Sequence, residues 1–179
     1  MPSSPSHSDP LPLELWDLAG LLGGFRWIES TLFRLAGGWI PTTPEPAVRV
    51  MWSVQSFHHA WHADVWRDRL PQLRGLNPEL VTVAPSPDWE TALATAASME
   101  ATADRLAVWF GGLVPALIAA YETLEERVDD VAAPGLQRWI RHVLLDERDD
   151  LRAGLGIVAA HPTELHPQSV LPADFVPNG

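Results

Sequence analysis

Apolar residues recur every three to four positions in four long segments of this 179-residue chain, and this periodicity most constrains its fold. The segments cover residues 15–38, 47–70, 88–128 and 134–157. Alternating patterns typical of strands are nearly absent, with residues 81–83 as the one candidate. The chain therefore reads as an all-α protein with four long helices.

Proline and glycine mark the ends of these helices and the connections between them. The segment 71–87 contains four Pro and one Gly, and its length suits a crossover along the bundle better than a tight turn. Gly111-Gly112 and Pro115 predict a kink or break in the third helix. We expect two helix hairpins joined by a long crossover, within one helical body at 13–160. Residues 1–12 read as a flexible arm and 161–179 as a Pro-rich tail.

Composition excludes several classes of protein. A net charge of −11 disfavours nucleic acid as a partner, because an acidic surface repels phosphates. The absence of Cys excludes disulfides and thiolate metal sites. The N-terminus lacks the features of a secretory signal, and no uninterrupted apolar run reaches the ~20 residues that span a bilayer. The sequence thus predicts a soluble, cytoplasmic protein with no membrane partner.

Polar residues interrupt two of the apolar helix faces. Gln55, His58 and His62 fall on the apolar face of the second helix, and Glu147 and Asp150 on that of the fourth. Burying an unpaired polar group costs on the order of 2–7 kcal/mol, so such residues need a partner in the core. A shared metal ion or a shared polar site would supply one.

The two halves of the chain also resemble each other. Segments 28–32 and 55–61 of the first half correspond to 121–124 and 147–153 of the second. The correspondence pairs Glu29 with Glu122 and, with one residue of slippage in the turn, Gln55 with Glu147 and His58 with Asp150. A two-fold relation between the hairpins would direct both polar groups to one central place.

This pattern resembles the ferritin-like di-iron carboxylate superfamily. That fold is a four-helix bundle whose metals are held by a Glu from each of two helices and a Glu-x-x-His from each of the others. The metal ligands that the resemblance implies are Glu29, His58, Glu122, Glu147 and Asp150. Gln55 stands where a bridging Glu is expected, and Asp150 where a His is expected. The cofactor implied is iron, as one ion or two, with manganese as an alternative.

Several positions stay open at this level. His62, one turn beyond His58, could supply the nitrogen that Asp150 replaces, and Gln55 could leave a position free for oxygen or substrate. These two are the candidate catalytic residues. Glu125 is an alternative to Glu122. His59 is rotated about 100° from His58 and is the weakest metal candidate of the three histidines. Asp146 and Asp149 are assigned to solvent.

Two functions follow from these assignments. The resemblance implies an oxygen-dependent oxidoreductase, of the hydroxylase or oxidase type, that acts on a small organic substrate; a homodimer is compatible with it. The alternative is a non-catalytic or metal-free protein without a cofactor, in which the same residues form a buried polar network or an acid–base pocket.

Overall fold

The computed structural model describes residues 14–128 and 134–161. Within these two ranges the chain is helical and contains no strand, which confirms the all-α class. The α-helices are α1 (Leu15–Trp39), α2 (Pro46–Arg69), α3 (Pro78–Val81), α4 (Pro87–Ala97), α5 (Thr102–Val108), α6 (Val114–Arg127) and α7 (Pro134–Val158). The predicted arm at 1–12 lies outside the described residues, as does the predicted tail beyond residue 161.

The long helices pack in pairs. The short connection that follows α1, with a 3-10 turn at Ile40–Thr42, lets α1 and α2 pack along each other. In the second half of the chain α6 packs along α7, and α2 packs against α7 to join the two pairs. The buried apolar side chains of these helices form one continuous core. Functional side chains from α1, α2, α6 and α7 can therefore meet between the pairs.

The connection between α2 and α4 lies against α1. A Cβ atom added to Gly23 would lie 2.0 Å from the carbonyl oxygen of Val81, so only glycine permits this close approach. The strand candidate at 81–83 is wrong, because Val81 ends the short helix α3. The cap of α4 is Ser86, whose hydroxyl accepts a hydrogen bond from the amide of Trp89.

The predicted third helix is interrupted, but earlier than expected. The chain leaves the helix after Ala97 and re-enters it at Thr102, where the carbonyl of Met99 accepts a hydrogen bond of 2.9 Å from Nε of Arg105. At Gly111-Gly112 the chain stays helical and widens into a π-helical turn, Trp109–Leu113. The glycine pair thus marks a change of helical register instead of a break.

The helical stretch Thr102–Arg127 has the length and apolar composition of a membrane-spanning helix. In this structure 67% of its most apolar 18-residue window is buried inside the protein. A core helix of a soluble protein passes the same test of length and composition. The burial of this stretch accounts for its apolar character without a membrane.

Candidate metal centre

Four metal-ligating side chains converge between the helix pairs. Glu29 comes from α1, His59 and His62 from α2, and Glu147 from α7, and all four are fully buried. Their i, i+3 spacing places His59 and His62 on one face of α2. One donor atom from each of the four residues lies within 4.8 Å of the other three, so the group could hold a metal ion. We call these four residues the buried cluster.

Nitrogen and oxygen donors alternate around this cluster. Nδ1 of His59 lies 2.6 Å from Oε2 of Glu29 and 3.4 Å from Oε1 of Glu147. Nδ1 of His62 lies 3.6 Å and 3.1 Å from the same two oxygens. Donors arranged as a tetrahedron at metal bonds of about 2.0–2.1 Å are separated by about 3.3 Å. Three of the four distances, 3.1–3.6 Å, lie close to the donor separation around a single ion, whereas the His59–Glu29 contact is shorter.

Tyr121 and Trp66 hold Glu29 in place. The Tyr121 hydroxyl donates to Oε1 of Glu29 and accepts a hydrogen bond of 2.7 Å from Nε1 of Trp66. The Tyr121 ring stacks on Phe25 with 4.4 Å between ring centroids. Both oxygens of Glu29 are thus engaged, one by Tyr121 and one by His59. Such contacts orient a ligand and tune its basicity.

Trp109, in the π-helical turn, covers His59 from the other side. The two rings are 5.3 Å apart and meet edge to face. The indole Nε1 of Trp109 donates a 3.0 Å hydrogen bond to Oε1 of Gln55. Gln55 is buried, as the sequence predicts, and its carbonyl oxygen is taken up by this hydrogen bond from Trp109.

The charges of the buried cluster depend strongly on one another. Burial alone would raise the pKa of Glu29, but His62 and His59 outweigh it and lower this pKa to about 2. Burial alone would lower the pKa of each histidine. Glu147 and Glu29 instead raise the pKa of His59, and Glu29 with Asp146 raises that of His62 well above its ordinary value. The carboxylates therefore attract positive charge into the core.

Hydrogen bonding within the protein leaves two atoms of the cluster without partners. Nε2 of His59 and Oε2 of Glu147 are buried and make no hydrogen bond within the described part of the chain. A buried polar atom left unsatisfied costs about 1–3 kcal/mol. The internal network is therefore incomplete at these two atoms.

A second histidine–carboxylate pair lies beside the buried cluster, nearer to solvent. Nδ1 of His58 is 2.7 Å from Oδ2 of Asp150, and the two side chains are 31% and 11% exposed. We call His58 and Asp150 the rim pair. The sequence predicts both as metal ligands, and the structure pairs them with each other outside the buried cluster. Asp146, assigned to solvent, is only half-exposed, and its Oδ2 lies 3.4 Å from Nε2 of His62.

The third predicted helix contributes a phenol to this region and no carboxylate. Glu122, a predicted ligand, is exposed, and its Oε1 accepts a 2.7 Å hydrogen bond from Arg148. Its alternative, Glu125, is paired with Arg141 at 2.7 Å. The preceding residue, Tyr121, is the one that reaches Glu29. The structure therefore brings neither glutamate to the buried cluster.

His59 is the cluster residue that the sequence interpretation ranked lowest. The spacing predicts Gln55, His58 and His62 on the buried face of α2. Gln55 and His62 are buried, but at the turn between them the buried residue is His59, about 100° from His58. A signal for the true face exists, because Trp52, His59 and Trp66 are spaced seven residues apart and all three are buried. His62, proposed as a catalytic residue, lies among the candidate ligands themselves.

Comparison of the chain with protein-family models, with curated proteins and with solved structures gives no match. The function is therefore argued from the chemistry of the buried cluster.

Proposed function

We propose that this chain is a ferritin-like metalloprotein that binds one divalent transition-metal ion through Glu29, His59, His62 and Glu147. The observation that carries the proposal is the alternation of two imidazole nitrogens and two carboxylate oxygens at 2.6–3.6 Å in the core. Three helices from both packed pairs supply these donors.

The charge of the cluster suits a divalent ion. Two carboxylates and two neutral imidazoles carry a charge of −2, which a divalent cation neutralises inside the core. Without a metal, protons on His59 and His62 supply the same positive charge, in line with the raised pKa values of both histidines. A metal ion and two protons are therefore exchangeable occupants, and metal binding should release protons.

The donor set favours iron or manganese, because imidazole and carboxylate ligands suit both, while zinc is accepted by the same ligands. A bound iron ion would supply the redox chemistry of an oxygen-dependent oxidoreductase, which is the activity that we propose. Tyr121 fixes the carboxylate of Glu29, and Trp109 packs on His59. Together with the buried position of all four ligands, these contacts keep bulk water away from the centre.

A metal-free polar network is the competing function, and one observation favours it. The contact between His59 and Glu29 is 2.6 Å, the length of a strong charge-assisted hydrogen bond. In that case the cluster is a pair of buried ion pairs that fixes how the two helix pairs dock. The two functions differ in whether a metal displaces the protons.

Calorimetric titration distinguishes them. Chelator-treated protein is titrated with Mn²⁺, Zn²⁺ and, without oxygen, Fe²⁺ at pH 6.5, in two buffers of different ionisation enthalpy. We expect one ion per chain and the release of one to two protons, since both histidines must give up a proton to bind. Absence of binding for all three metals would establish the polar network instead.

Matched variants locate the site. We expect Glu147→Gln and His59→Asn each to weaken metal binding by about tenfold or more, since each removes one of four ligands. Glu122→Gln and His142→Asn make the same chemical changes at exposed positions of α6 and α7 and should bind metal as the parent protein does. Equal weakening in the Glu122→Gln variant would place the site elsewhere. Aerobic turnover of Fe²⁺ by the loaded protein then tests the oxidoreductase activity.

A further inference from the structure

A second candidate site lies at the far end of α1, away from the buried cluster. The last turns of α1, the end of α4 and the start of α5 enclose a cavity of about 410 Å³. Pockets for small molecules commonly measure roughly 300–1,000 Å³. Its apolar wall consists of Leu35, Trp39, Leu93 and Ala97. This cavity is large enough for a small organic molecule.

Arg105 is a buried cation in this cavity. Arg105 is only 6% exposed, and its guanidinium carbon is 5.5 Å from the centre of the Trp39 ring. Nε donates to the Met99 carbonyl and Nη1 to the Thr42 hydroxyl, both at 2.9 Å. Nη2 donates to no group in the described part of the chain. One edge of the guanidinium is thus left available.

No carboxylate within the described residues forms an ion pair with Arg105. Burial lowers the pKa of Arg105, and the nearby exposed Glu100 offsets this only in part. The other neighbouring carboxylate, Glu45, accepts a 2.9 Å hydrogen bond from Thr102. A buried charge without a counter-ion is unfavourable, so an anion that enters the cavity would relieve this cost.

Arg34 adds a second cation at the mouth of the cavity. It is exposed, and its Nη2 donates to the Thr31 hydroxyl at 2.9 Å. It too forms no ion pair within the part of the chain that the structure describes. In a protein of net charge −11, two arginines without acidic partners beside an apolar wall are unusual. The cavity thus combines a cationic end with an apolar surface.

We propose that this cavity binds a small organic anion with an apolar body, such as an aromatic carboxylate, whose charged group contacts Arg105 and Arg34 while its ring packs on Trp39. The site goes beyond the proposed metal centre and uses none of its ligands. The two are neighbours through one side chain, because Trp109 packs on Trp39 at 5.6 Å and on His59 at 5.3 Å. Two indole rings, those of Trp39 and Trp109, would therefore separate an anion held there from His59.

The test titrates the full chain with naphthalene-2-carboxylate and, separately, with its uncharged amide. Calorimetry measures the binding of each probe. We expect the carboxylate to bind with a Kd below about 1 mM and the amide about tenfold or more weaker, because only the carboxylate pairs with the guanidinium groups. Arg105→Met should weaken carboxylate binding by a similar factor. Failure of the carboxylate to bind, or equal binding of both probes, overturns the proposal.

Two glycines of α1 provide a matched pair of variants in which the buried Arg105 is unchanged. Gly38 lines the cavity and Gly20 does not, and a Cβ atom at either position meets nothing within 4 Å. We expect Gly38→Phe to fill the cavity and reduce probe binding about tenfold or more, and Gly20→Phe to leave it unchanged. Unchanged binding in the Gly38→Phe variant overturns the proposal. Metal titration of the same variants reports separately on the buried cluster.

Discussion

The buried cluster and the rim pair are built from the same chemistry on the same helices, yet they differ in what they can do. Both join histidines of α2 to carboxylates of α7, with nitrogen–oxygen contacts of 3.1 Å for His62–Glu147 and 2.7 Å for His58–Asp150. The ligands of the buried cluster have no solvent exposure, whereas His58 is 31% exposed. Distance alone does not distinguish the two groups.

Burial and the number of partners do distinguish them. Each histidine of the buried cluster faces two carboxylates in the core, while the structure pairs His58 with one near the surface. Charges excluded from water interact strongly, whereas a partly exposed pair is weakened by solvent and salt. One face of α2 thus carries a candidate metal centre and the adjacent position carries an ordinary ion pair.

The largest expected difference between the buried cluster and the rim pair is in stability, when one carboxylate charge is removed from each of them. Glu29→Gln should lower the free energy of unfolding of the metal-free protein by about 3–5 kcal/mol, because it leaves two buried histidines with only the carboxylate of Glu147 between them. Asp150→Asn should lower it by about 1 kcal/mol or less, since the rim pair is partly solvated. Urea unfolding measures both. Equal losses in the two variants would show that burial does not separate the groups.

The pH dependence of stability sharpens the same comparison. The pKa of Glu29 is lowered to about 2 in the folded protein, so its contribution is complete above its ordinary value near 4.5 and is lost as the pH falls towards 2. The pKa values of His59 and His62 are raised, so their contributions are complete below 6.5 and are lost as the pH rises through the folded-state values. The buried cluster should therefore stabilise the metal-free protein most at pH values between these two limits.

The measurement is the difference in unfolding free energy between the parent protein and Glu29→Gln. From pH 4.5 to pH 3 this difference should shrink by on the order of 2 kcal/mol, at 1.36 kcal/mol for each pH unit. A difference that stays constant down to pH 3 would show that the pKa of Glu29 is not lowered in the folded protein.

The smallest expected effect is on metal affinity, and it distinguishes two hydrogen bonds beside the buried cluster. Tyr121→Phe removes the donor to Glu29 and should weaken metal binding about tenfold, as the loss of a group that orients a ligand does. Gln55→Leu removes the acceptor for Nε1 of Trp109. Because that hydrogen bond involves no carboxylate of the buried cluster, this variant should change metal affinity less than twofold. A greater loss in Gln55→Leu would restore Gln55 as a functional residue, as the sequence predicts.

The helices could be predicted from the sequence, because long amphipathic segments bounded by Pro and Gly leave few alternatives. The expected second helix at 47–70 is α2 at Pro46–Arg69, and Glu29, His62 and Glu147 are in the core as expected. The choice between His58 and His59 could not be made the same way. Adjacent residues differ by about 100°, and which of them faces the core depends on how α2 packs against α1 and α7.

The placement of Glu122 differs from the expectation for another reason. The internal repeat predicts Glu122 as a ligand, because it pairs this residue with Glu29. The apolar spacing of the same helix runs through Tyr121 and Leu124, and both are buried. A repeat between the two halves does not determine which of two adjacent residues faces the core, and Glu122 lies at the surface while Tyr121 occupies the inner position.

The π-helical turn also has a consequence for how this protein can change. Trp109 and Tyr121 are twelve residues apart, which in a regular α-helix would direct them about 120° away from each other. Absorbing one extra residue in the wider turn reduces the effective separation to eleven residues, or about 20°. Both side chains can then serve the same centre, Trp109 on His59 and Tyr121 on Glu29. Deleting a single glycine at 111 or 112 would therefore give a regular α-helix with the two positions eleven residues apart, and would keep both side chains directed at the centre.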